Sequence, residues 1–88
     1  MPKVDISWDD KWEFEYEGNK IVVKNSFDSC QLVVNGKVQD AQHGLTFSAT
    51  LRGKLPDGAH VKATVGGVFK TKCSVFVNHE MLKPIKKD

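Results

Sequence analysis

The stretch Ala59–Asn78, AHVKATVGGVFKTKCSVFVN, decides the fold class. It holds two alternating runs joined at Gly66-Gly67. Val61, Ala63 and Val65 alternate with Lys62 and Thr64, and Phe69, Thr71, Cys73, Val75 and Val77 alternate with Lys70, Lys72, Ser74 and Phe76. Period-two alternation rich in β-branched residues, broken by paired glycines, predicts a β-hairpin with one buried face. A two-residue turn at Gly66-Gly67 would set Ala63 opposite Lys70 and Val61 opposite Lys72, splitting the apolar face. A three-residue loop, Gly66-Gly67-Val68, pairs Val65 with Phe69, Ala63 with Thr71 and Val61 with Cys73. It keeps one face apolar and is the expected register, since a one-residue slip flips every side chain.

The same signal recurs outward from this hairpin. In Lys11–Asn25, Trp12, Phe14 and Tyr16 share one face and Glu13, Glu15 and Glu17 the other. A turn at Gly18-Asn19 would pair Tyr16 with Ile21 and Phe14 with Val23, with Glu17 opposite Lys20 and Glu13 opposite Lys24. Asn25–Ser29 is a break, with Phe27 plugging the core. Cys30–Val34 is the next strand, and Asn35-Gly36 is a strong hairpin signal before a short return strand, Lys37–Asp40. Two registers fit there: Val33 opposite Val38, or Val34 opposite Val38. Ala41–Gly44 is expected to be a loop holding His43. Leu45, Phe47, Ala49 and Leu51 alternate with Thr46, Ser48, Thr50 and Arg52. Leu55-Pro56-Asp57-Gly58 is a turn with fixed φ at proline, a capping aspartate and a permissive glycine. Residues 1–10 are an arm or edge strand, with Val4, Ile6 and Trp8 alternating, Glu80–Pro84 is a last short edge strand, and residues 85–88 are a basic tail.

No segment has a helical period, and no apolar run approaches the ~18 residues of a membrane helix. The 40% hydrophobic and 27% charged content suits a folded globular domain. The expectation is therefore one all-β domain over residues 1–88. It is an antiparallel β-sandwich or flattened barrel of six to eight short strands joined mostly by hairpins. Its core is Trp12, Phe14, Tyr16, Ile21, Val23, Leu32, Val34, Leu45, Phe47, Ala49, Leu51, Val61, Ala63, Val65, Phe69, Cys73, Val75 and Val77. At this length most apolar residues must be used in that core.

Lys83, Lys86, Lys87 and Asp88 together account for the whole net charge of +2, which leaves residues 1–82 neutral. Acidic residues gather in front (Asp5, Asp9, Asp10, Glu13, Glu15, Glu17) and basic ones behind (Arg52, Lys54, Lys62, Lys70, Lys72). They read as solvated strand faces or as a partner surface. MPKVDISWDD has no hydrophobic signal region, so a non-secreted, cytoplasmic protein is expected. Cys30 and Cys73 then read as buried, reduced cysteines. A disulfide between them would close a loop of about forty residues and add on the order of 4 kcal/mol. CQLVVN at Cys30–Asn35 resembles CSVFVN at Cys73–Asn78, 43 residues later; either one hairpin unit occurs twice or two strands have converged.

Several residues in order also resemble one domain of the Fas apoptosis inhibitory molecule family. They are Trp12 before the Glu17-Gly18 turn, the Asn35-Gly36 hairpin, Phe47-Ser48, Val61-Lys62-Ala63, Gly66-Gly67, and Val77-Asn78 before His79-Glu80. The likeness covers roughly residues 12–84 and implies a compact antiparallel β-sandwich without enzymatic activity. That family is known for anti-apoptotic and protein-protective roles in animals. Its members carry two domains and this chain one, so the resemblance implies the fold and no functional residue.

No catalytic or metal signature stands out. Ser29, Ser48 and Ser74 lack a nucleophile elbow, and alternating glutamates on an outer strand face solubilise rather than form an acid–base pair. His43, His60 and His79 sit near turns. A zinc site from Cys30, Cys73 and His43 or His79 would need a convergence that the spacing does not encode. The expectation is a small, non-catalytic protein- or peptide-binding module with no cofactor and no membrane partner. Its candidate surface is Lys62, Lys70, Lys72 and Phe76. The rival is a single-stranded nucleic-acid binder using the lysine face of Val61–Asn78, because such proteins interleave cations with an aromatic platform.

Overall fold

The computed structural model describes residues 10–26, 28–43, 48–67 and 71–87. These form β1 (Asp10–Tyr16), β2 (Asn19–Asn25), β3 (Ser29–Val34), β4 (Lys37–His43), β5 (Ser48–Lys54), β6 (His60–Gly66), β7 (Lys72–Val77), β8 (Glu80–Met81) and β9 (Lys86–Lys87). There is no helix among the described residues. Two antiparallel sheets result, ordered β4-β3-β2-β1-β9 and β5-β6-β7-β8. They make a two-layer sandwich, not a closed barrel. One core joins Trp12, Phe14, Ile21, Val23, Cys30, Leu32 and Val34 of the first sheet to Ala49, Leu51, Val61, Ala63, Val65, Val75 and Val77 of the second. The thinnest dimension is 21 Å, which fits two layers about 10 Å apart with side chains on both outer faces.

Every described residue of the expected core is buried or, for Tyr16 and Cys73, packed against the buried cluster. Leu45, Phe47, Phe69, Phe27 and residues 1–9 of the expected arm lie outside the described residues, and Asp10 opens β1. Alternation overlooked Val22 and Val33, which are buried within the continuous runs of β2 and β3, and Leu55, buried at the start of its turn.

Pairing registers differ from expectation in two hairpins, and in both the faces survive. The β1–β2 turn is Glu17-Gly18, with φ of 47° and 80°, and Phe14 pairs with Ile21 and Trp12 with Val23. A two-residue turn with both φ positive accepts glycine best at its second position, which places Gly18 there rather than at the first. Glu13 therefore sits opposite Val22, and Lys20 reaches it diagonally at 3.4 Å. In the last hairpin Val65 pairs with Cys73, Ala63 with Val75 and Val61 with Val77. The connection spans residues 67–71, so the expected Val65–Phe69 pairing is off by four positions. The observed register brings Val75 and Val77 against β6; the expected one would have run them past its end.

At Asn35-Gly36 the two-residue alternative holds, with Val33 opposite Val38 and Val34 opposite Lys37. β4 then continues through a bulge at Gln39 to His43, so the expected 41–44 loop is strand as far as His43. Ser29 Oγ lies 3.1 Å from His43 Nδ1. The Leu55–Gly58 turn closes as expected: Gly58 N–H donates to Leu55 O at 2.9 Å and Ala59 N–H to Asp57 Oδ1 at 2.9 Å. The basic tail is corrected in part, since Lys86 and Lys87 pair with Glu13 and Trp12. Ile85 N–H donates to Glu13 O and leads the chain onto that edge.

The sequence echo has a structural counterpart. Asn35 N–H donates to Lys20 O at 2.8 Å while Asn35 Oδ1 accepts from Lys20 N–H at 2.9 Å. Asn78 makes the same exchange with His60, at 2.9 and 3.0 Å. Each asparagine opens a turn with left-handed φ, 49° and 47°, and each clamps the preceding strand of its own sheet. Asn35→Ala removes the clamp and puts a Cβ without a compensating amide in left-handed backbone. The expected loss is about 1–2 kcal/mol by urea unfolding, with Asn35→Gly milder.

Candidate functional site

The two outer faces differ in charge. The first sheet mixes signs: Glu13 is 3.7 Å from Lys11 and 3.4 Å from Lys20, with Glu15 opposite Lys20. On the second sheet the inward positions are the buried core, so the alternate positions face outward. Those described are Ser48, Thr50, Arg52 and Lys54 on β5, His60, Lys62, Thr64 and Gly66 on β6, Lys72, Ser74 and Phe76 on β7, and Met81 on β8. None of them is acidic.

One cross-strand row gives this face its character. Arg52 pairs with Lys62, Lys62 with Phe76, and Phe76 with Met81. The row runs from two cations to two apolar side chains, and Met81 is 61% exposed. Arg52, Lys62 and Phe76 line a groove of about 450 Å³ together with His60, Asn78 and His79. Asn78 is held there by its exchange with His60.

Of the expected surface, Lys62 and Phe76 come together directly. Lys72 does not join them: it pairs with Gly66, at the far end of the strand. Lys70 lies outside the described residues. The expected register had set Lys62 opposite Lys72, so the four-residue shift dissolves that pair and puts Phe76 in its place. Arg52, His60, His79 and Met81 were overlooked. Arg52 was visible as an outward residue of an alternating strand, and its place beside β6 follows from the Leu55–Gly58 turn that joins the two strands.

Acidic residues near this end of the molecule surround Tyr16 instead. Its phenol is pushed up chiefly by the hydrogen bond to Glu17, with Glu80 and Asp57 adding to the effect. The edge of β5 is closed by Asp40, whose Oδ2 accepts Arg52 N–H at 2.9 Å and whose Oδ1 accepts Ala41 N–H at 2.9 Å. The bulge at Gln39 brings Asp40 to that position, where it blocks strand addition on one edge of the second sheet.

Among the described residues no group of three or more His, Cys, Asp or Glu could hold a metal ion. Cys30 and Cys73 are free thiols. Burial raises both, and burial together with the neighbouring Cys30 pushes Cys73 up to about 12. A thiol that keeps its proton longer when folded stabilises the fold fully below its unfolded pKa near 9. That stabilisation is lost as pH rises through the folded value. Cys73 is partly exposed, so water screens the effect, and the expected loss between pH 9 and 12 is on the order of 2 kcal/mol. Urea midpoints at pH 8 and 11 check this: Cys73→Ala should flatten the alkaline fall, and an unchanged slope would remove the assignment.

Comparison with known proteins returns no matching family model, no matching curated protein and no matching solved structure.

Proposed function

We propose that this protein is a non-catalytic binding module that takes an acidic segment of a partner protein on the outer face of its second sheet. One observation carries the reading: the Arg52–Lys62–Phe76–Met81 row lies on a face with no acidic side chain among the described residues. A single-sign face attracts an oppositely charged partner and repels like-charged ones. The adjoining apolar pair supplies contact area that charge alone does not. A segment alternating acidic and apolar residues matches both halves. Free thiols agree with a reducing compartment such as the cytoplasm. Kinship with the Fas apoptosis inhibitory molecule family, supported by the order of the matching residues along the chain, belongs to the same proposal.

The test is a titration of a labelled decapeptide of alternating glutamate and leucine, followed by fluorescence anisotropy. Charge reversal at Arg52 or Lys62 should weaken binding at least tenfold, while Lys24→Glu on the first sheet leaves it unchanged. Equal loss at both faces, or none at either, rejects the reading. A second reading, single-stranded nucleic acid, is favoured by Phe76 lying directly beside Lys62, the juxtaposition that stacks a base next to its phosphate. It predicts that an octathymidylate binds with a steep loss of affinity as salt rises.

A further inference from the structure

We propose that the cationic end of the groove is a phosphoryl site. It holds a phosphorylated residue of an extended peptide, with an apolar side chain two residues away seated on Phe76. This rests on the acidic-segment reading above and specifies its anionic group.

The lining is rich in donors and poor in acceptors. Arg52 and Lys62 have no acceptor atom, and Asn78, whose amide oxygen already accepts His60 N–H, brings two Nδ2 donors. His60 and His79 add two imidazoles. A phosphoryl group is the complement: three acceptor oxygens and a charge of about −2 near neutral pH. Arg52 and Lys62 bring two positive charges to meet it, beside the Asp40 carboxylate already held at Arg52 N–H. Arg52 and Lys62 face each other on adjacent strands, which lie ~4.8 Å apart, so both can reach one group.

The spacing to the apolar half agrees. From between β5 and β6 to β7 is one and a half strand separations, ~7 Å. Residues i and i+2 of an extended chain share a face at about that spacing. A nucleic-acid strand fits less well toward the Gly66 end, because its charges recur with each nucleotide. At one end Lys54 sits opposite His60, two residues or ~7 Å from the Arg52–Lys62 row; at the other the next lysine, Lys72, lies beside Gly66, four residues or ~13 Å away. Thr64 and Ser74 intervene, and neither is charged.

His79 supplies a separate argument. It occupies the second position of a two-residue turn whose counterparts hold Gly18 and Gly36, and its φ is 72°. Left-handed backbone disfavours a side chain there. The chain nonetheless keeps an imidazole at this point, and that ring lines the groove. Backbone strain retained at a lined groove fits a residue kept for its side chain.

The experiment uses the full chain, labelled with ¹⁵N. It is titrated with a capped heptapeptide bearing one phosphoserine and a leucine two residues away on each side, and with versions carrying glutamate or serine. Inorganic phosphate and an octathymidylate are parallel arms. The phosphoserine peptide should bind at least tenfold tighter than the glutamate one, shifting the amides of Arg52, Lys62 and His79, and inorganic phosphate should shift the same amides more weakly. Arg52→Gln and Lys62→Gln should each weaken it at least tenfold. His79→Gly should weaken binding several-fold while raising the urea midpoint, an opposite pair of effects that a purely structural role would not give. Equal binding of the phosphoserine and glutamate peptides overturns the phosphoryl site and leaves the acidic-segment reading standing. No binding of either peptide overturns both. Tighter binding of the octathymidylate than of the phosphopeptide transfers the face to nucleic acid and overturns the proposal.

Discussion

Phe14→Ala should lower the unfolding free energy by about 3–5 kcal/mol, measured by urea or guanidinium denaturation. Phe14 is fully buried in β1, opposite Ile21 on its own sheet and within the cluster shared with the second sheet. Truncation removes the ring's transfer free energy and leaves a cavity that two stiff sheets cannot close. A chain of this length has roughly 4–13 kcal/mol in total, so the variant sits near its unfolding threshold. Glu15, the next residue but one outward on the same outer face as Glu13, is exposed, and Glu15→Ala should stay within ~0.5 kcal/mol. Phe14→Leu keeps most of the volume and should fall between the two. Similar midpoints for Phe14→Ala and Glu15→Ala would mean that the two sheets do not share one interior.

Gly53→Val has the second large effect, for a different reason. Gly53 lies in β5 opposite Val61, inward like Leu51. A Cβ built on it meets Gln39 Cβ at 2.8 Å and Cγ at 3.1 Å. Ordinarily a side chain is better than glycine inside a strand. Here the bulged β4 strand passes so close that one must move. Overpacking of this kind costs typically 1–3 kcal/mol, with Gly53→Val at the upper end and Gly53→Ala at the lower. The contact also lies next to the Asp40–Arg52 hydrogen bond that joins the edges of the two sheets. Gln39→Gly removes the obstructing Cβ and should restore much of what Gly53→Ala loses. A double-mutant cycle with coupling of at least ~1 kcal/mol assigns the loss to this approach; zero coupling would assign it elsewhere.

The two variants mark different depths of legibility. Phe14 is readable as core from WEFEY alone, because alternation sorts a strand into two faces and only one is apolar. Nothing in the LRGK context of Gly53 announces that β4 crosses beside it. The same divide runs through the candidate site. Lys62 and Phe76 were each readable as outward residues. Their adjacency was not, since a register moved by two or four residues leaves every side chain on its own face. Alternation is blind to such moves.

The chain's periodicity alone therefore determined that this is a β protein, which faces are apolar, and where Asn35-Gly36 and Leu55–Gly58 turn, because these depend on near neighbours and backbone sterics. The tertiary structure decided the pairing of Val61 with Val77, the extension of β4 to His43, and the docking of Lys86–Lys87 against β1. It also decided the assembly of Arg52, Lys62, Phe76 and Met81 into one row. Those choices are made by packing one sheet on another and by filling edge hydrogen bonds, and both depend on residues far away along the chain.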